Sequence, residues 1–136
     1  MRAVTITFVG LVLGVCLLCQ GCGSSVETAP DVRAKYAWDT LEAKLDYPID
    51  EVYRAASDAV DQLDLNVMRQ DHDGVAGEVA TLDAQREHIT VDLEALRGSQ
   101  TLLEIRVGPF GDRNKSEVVF ERIVENLRQE VVAARL

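Results

Sequence analysis

The stretch "TLEAKLDYPIDEVYRAASDAVDQL", residues 40–63, changes its hydrophobic period halfway along. Before Pro48 the chain alternates, with Leu41, Ala43, Leu45 and Tyr47 on one side and Glu42, Lys44 and Asp46 on the other. A period of two with one polar side belongs to a half-buried strand. Pro48 ends it, having no N–H to give to a ladder. Beyond it Ile49, Val52, Tyr53, Ala56, Val60 and Leu63 recur at helical spacing. Asp50 and Glu51 stand in the first turn, where the positive end of the helix dipole favours acids. The stretch predicts a strand leading directly into an amphipathic helix.

Downstream the period returns to two. After the short segment "LNVMRQ" (65–70) come three alternating stretches: "VAGEVATL" (75–82), "EHITVDLEAL" (87–96) and "TLLEIRVG" (101–108). The turn signals "DHDG" (71–74), "DAQR" (83–86) and "RGSQ" (97–100) precede them in that order. Short turns between alternating strands imply antiparallel hairpins. The chain then leaves through "GPFGDRNKS" (108–116) and closes with a long helix whose apolar positions include Val119, Phe120, Ile123, Val124, Leu127 and Val131. The expected fold is α+β in the order β-α-β-β-β-β-α. An antiparallel sheet of about five strands is solvated on one face and carries both helices on the other.

Working back toward the N-terminus, residues 3–19 form an uncharged run behind a single basic residue, Arg2, the layout of a secretory signal. The run falls short of the roughly 20 apolar residues a membrane span needs. At its end stand all three cysteines, Cys16, Cys19 and Cys22. "LLCQGC" (17–22) resembles the lipobox of bacterial lipoproteins, with Cys19 and Gln20 departing from the preferred residues. The resemblance implies that Gly21 ends residues 1–21 as a signal peptide and that Cys22 becomes the acylated first residue. A C-x-x-C-x-x-C iron–sulfur site would need a fourth thiolate, and no cysteine follows residue 22. Residues 22–37 then read as the lipidated cysteine and a small, polar tether, spanning on the order of 20 Å, with residues 38–136 as one folded domain.

Of the 14 basic side chains only Arg2 precedes the expected cut, whereas all 23 acidic ones follow it, which leaves the mature chain at −10. Nucleic-acid binding relies on cations that neutralise phosphate, so that class is excluded. With its one cysteine acylated, the mature chain forms no disulfide, and the domain depends on its core. The chain offers no nucleophile elbow and no phosphate-binding glycine loop, and its carboxylates mostly fall in the polar phase of strands and helices. The expectation is a protein that is not an enzyme and takes no cofactor or metal.

Candidate sites are correspondingly few. Asp71, His72, Asp73 and Gly74 contain a fragment of a calcium loop, but Leu82 occupies the twelfth position where a carboxylate is needed, so the fragment reads as a hairpin turn. His88 falls on the polar phase of its strand. In "RVGPFGD" (106–112), Asp112 is placed to cap the last helix. Phe110 has two readings, a hydrophobic contact on the loop rim or, the favoured one, a plug tucked beneath the turn. Phe110 and Asp112 are the candidate loop contacts.

The helix "IDEVYRAA" (49–56) and the turn "RVGPFGD" together resemble a family of small bacterial lipoproteins defined only as a domain of unknown function. That resemblance spans roughly residues 40–125. It implies a lipobox, and hence an acylated Cys22, and it supplies no activity, cofactor or catalytic residue. The expected place is the cell envelope, lipid-anchored on the periplasmic side. Gly23 and Ser24 lack the aspartate that marks inner-membrane retention in some bacteria, which favours the outer membrane.

Overall fold

The computed structural model describes residues 32–136. Its strands are β1 (Ala34–Ala37), β2 (Thr40–Leu45), β3 (Asn66–His72), β4 (Ala76–Leu82), β5 (His88–Leu96) and β6 (Gln100–Val107); its helices are α1 (Ile49–Gln62) and α2 (Arg113–Ala134). The order is β-β-α-β-β-β-β-α, an α+β fold with one strand more than the five expected. All neighbours in the single sheet, β1-β2-β6-β5-β4-β3, pair antiparallel.

The extra strand is β1, which occupies residues expected to be tether. The folded domain therefore includes at least the four residues before the expected boundary at 38. "AKYA" is too short for alternation to stand out, but it pairs residue for residue with β2, and Tyr36 packs against the core.

Register explains the core. Leu41, Ile105, Val91 and Val79 form one row across four strands; Ala43, Leu103, Leu93 and Gly77 form the next. Both rows are buried and lie under the helices. Successive strand residues point to opposite faces, so a register slip of one residue would expose this whole set. On α1, Val52, Ala55, Ala56, Ala59 and Val60 have no measurable exposure, and the alanines let α2 approach closely. The buried Asn126 of α2 donates from Nδ2 to the Ala55 carbonyl at 3.1 Å, which ties the two helices together. Gly77 leaves room for the Tyr53 ring, since a Cβ there would stand 3.2 Å from Tyr53 Cδ2.

The outer face is the polar one. One register row there reads Lys35, Glu42, Glu104, Asp92, Glu78, Asp71, so five carboxylates cross five neighbouring strands. Asp92 stands in the middle of this row. Its pKa is raised, first by burial and then by the neighbouring Glu78 and Glu104 charges.

Candidate functional site

Strand direction gathers three connections at one end of the sheet: the β1–β2 turn at 38–39, the β4–β5 turn at 83–87 and the β6–α2 turn at 108–112. In the first, Trp38 and Asp39 both have positive φ, 50° and 66°. This is the left-handed pair that a two-residue hairpin requires, commonly supplied by Asn-Gly. Trp38 is 94% exposed at its apex. In the third, Gly108 and Gly111 take positive φ, and Phe110 between them is 83% exposed.

The expectation that Phe110 plugs the core is thereby overturned. The space beneath the turn is already filled. A Cβ on Gly108 would meet the Glu87 side chain, and one on Gly111 would lie 2.6 Å from Asp39 Cα and also strike Tyr36 Oη. The two glycines let the turn press down on these groups, and Phe110 is left outside.

The same contact joins the two aromatics. Gly111 abuts Asp39, and each is one residue from an aromatic, so with 3.8 Å between consecutive Cα atoms Trp38 and Phe110 lie within about 12 Å of one another. With the exposed Pro109 they form an apolar tip on an otherwise acidic molecule.

An ion cluster steadies the tip. Lys115 Nζ donates to Asp83 Oδ2 at 2.6 Å and to Glu87 Oε2 at 2.7 Å, clamping the β4–β5 turn to the first turn of α2. Asp83 is buried, and its Oδ1 accepts from the backbone N–H of Gln85 and Glu87 at 2.8 and 2.9 Å. Its pKa is lowered, chiefly by the Lys115 hydrogen bond and next by the Glu87 N–H, while Lys115 is raised by the same two carboxylates. Asp112 fills its expected place, its Oδ1 accepting from Lys115 N at 3.0 Å as the N-cap of α2. Beside the clamp an open cleft of about 290 Å³ is lined chiefly by Leu63, Leu65, Ile89 and Val118.

The other candidates are dispersed. Cys22 and Gly21, with Cys16 and Cys19, lie outside the described residues. Asp73 closes the β3–β4 turn, its Oδ1 accepting from Val75 N and Ala76 N at 2.9 and 2.8 Å, as a hairpin turn should. Those two N–H groups lower its pKa, Ala76 more than Val75. His72 points the other way. It stacks on Tyr53 with ring centroids 4.6 Å apart, and its Nε2 lies 3.1 Å from Asp50 Oδ1 without hydrogen-bond alignment. His72 pairs with Gly77 and His88 with Leu82, so the histidines stand at opposite ends of β4, roughly 17 Å apart along the strand. They cannot share an ion. Among the described residues no group of three or more His, Cys, Asp or Glu side chains is placed to hold a metal, and no helix is long and apolar enough to cross a membrane.

Sequence reasoning missed Trp38 and the Lys115 clamp. A two-residue turn between "AKYA" and "TLEAKL" is a usable signal only if β1 is seen first. The clamp joins residues 32 and 28 positions apart, and no local pattern marks it.

No curated protein matches this chain. Residues 3–126 match the family described as "Protein of unknown function (DUF3568)", a match that begins in the apolar N-terminal run and extends into α2. The match over most of the chain makes this protein a member of that family of unknown function.

Proposed function

We propose that this protein is a lipid-anchored lipoprotein of the bacterial cell envelope, acylated on Cys22 and acting without catalysis as a binding or structural module. The observation that carries the reading is the cysteine pattern: the uncharged apolar run 3–19 leads into Gly21-Cys22, and no cysteine follows. A small domain that starts at or before Ala34 then needs only a short link to the membrane. Its partner there is lipid, through the acyl chains on Cys22. One chain binds reversibly and two or more hold firmly, each buried CH₂ adding about 0.8 kcal/mol. Gly23 and Ser24 favour the outer membrane, with the domain in the periplasm.

Within the domain, the Trp38–Phe110 tip is the surface best suited to a partner, because large aromatics this exposed are the unusual feature of the chain. A pocket between sheet and helices has no room at Tyr47, Tyr53 and Phe120, which are half-buried and packed against the core. A small ligand-binding role would instead use the apolar cleft beside Lys115, whose volume lies at the lower limit for ligand sites.

Fractionation of cells expressing Cys22→Ser tests the anchor. The variant should leave the membrane fraction or accumulate as uncleaved precursor. A cleaved variant that stays membrane-bound removes the lipid from the account.

A further inference from the structure

We propose that the Trp38–Phe110 tip inserts into the interface of the same bilayer that holds Cys22, so that the domain lies docked on the membrane instead of floating above it. The inference rests on the lipid-anchored reading and deepens it.

Four observations point to lipid. The first is conformational: Trp38 holds φ at +50°, a region that costs a residue with a Cβ about 1–2 kcal/mol, and at 94% exposure it gains almost nothing from burial in return. The hairpin needs a positive φ at this place, but asparagine or glycine would supply it at lower cost, so the choice of an exposed tryptophan points to a role outside the fold. The second is placement. The two exposed aromatics stand on adjoining turns that meet at Gly111 and Asp39, so both can reach one fluid surface. Tryptophan is also a side chain enriched at membrane–water interfaces.

The third is charge. In a chain that carries −10 after Gly21, segments 35–40 and 108–113 hold two cations, Lys35 and Arg113, and two anions, Asp39 and Asp112. The tip is locally neutral and meets no repulsion from a zwitterionic surface. The fourth is reach. Ten Cα-to-Cα steps lead from Cys22 to Val32, spanning up to about 34 Å when extended and about 17 Å as a flexible coil. From Val32 to Trp38 is six residues, at most about 20 Å. The link is long enough for the tip to face the bilayer.

Trp38 is the only tryptophan, so its emission reports the tip alone. The full lipidated protein, purified from membranes and reconstituted in phosphatidylcholine vesicles with brominated acyl chains, should float with the vesicles and show blue-shifted Trp38 emission strongly quenched by bromine. Phe110→Ala, at an exposed site, should still float but lower the inserted population about tenfold. Flotation with Trp38 emission that remains water-like and unquenched overturns the insertion and leaves the anchor standing. Failure to float overturns the anchor, and the insertion with it. A blue shift that requires added envelope protein, without bromine quenching, assigns the tip to a protein partner and overturns the lipid assignment.

Discussion

Gly111→Ala measures how the tip is held together. Two costs apply at this position. With φ at +72°, any Cβ costs about 1–2 kcal/mol in the left-handed region. The new methyl would also lie 2.6 Å from both Cα and Cβ of Asp39, closer than real Cβ contacts come, and one of these is backbone. Relief requires the β1–β2 turn to lift away, an overpacking cost of about 1–3 kcal/mol. The sum is about 2–5 kcal/mol. Gly98→Ala is the control, because Gly98 has nearly the same φ, +75°, with nothing within 4 Å of its Cβ position. It should lose only the conformational part. Urea unfolding at pH 7, followed by far-UV circular dichroism of the sheet and helices, gives both midpoints. For a domain of this size each kcal/mol is also worth about 4–8 °C of Tm. Equal losses at Gly111 and Gly98 would mean that the two turns do not touch, and the tip would no longer be one unit.

Other perturbations follow from the charges. The pKa of Asp83 is lowered in the fold, so its contribution is complete above the ordinary carboxylate value of 3.8 and is lost as pH falls through the lowered one. Lys115→Met should therefore lower Tm at pH 7, flatten the acid limb of the stability profile and speed amide exchange at Gln85 and Glu87. An acid limb unchanged in the variant counts against the clamp. Asp92 has the opposite sign: its pKa is raised, so the folded state resists its ionisation, and its penalty appears as pH rises through the carboxylate range. Asp92→Asn should stabilise at pH 7 by a few tenths of a kcal/mol, allowing for solvent screening, and the gain should vanish in acid. A variant destabilised at pH 7 would show that the carboxylate row is not under mutual repulsion.

The parts legible in the sequence were those whose cause is local. β2 and α1 follow from the change of period across Pro48, and Ile49, Val52, Ala56 and Val60 are buried as that change requires. The three hairpins between β3 and β6 follow from turn residues flanked by alternation, and Asp112 caps α2 because a short side chain at that point can reach the third backbone N–H. β1 was hidden because it has four residues and its turn is Trp-Asp, without the glycine or asparagine that left-handed turns usually take. The carboxylate row needs the β2–β6 register, which joins residues some sixty positions apart and is set by core packing. Phe110 was misplaced for the same reason: whether space exists beneath its turn depends on Tyr36 and Glu87, which are distant in sequence.

The central claim is that Cys22 carries lipid, and the mass of the N-terminal tryptic peptide from the membrane fraction tests it most directly. Trypsin cuts after Arg33, so the account predicts "CGSSVETAPDVR", beginning at Cys22 and carrying a diacylglyceryl group, with or without a further acyl chain on its amino terminus. A peptide still joined to residues before Cys22, with a free thiol at that position, would contradict it.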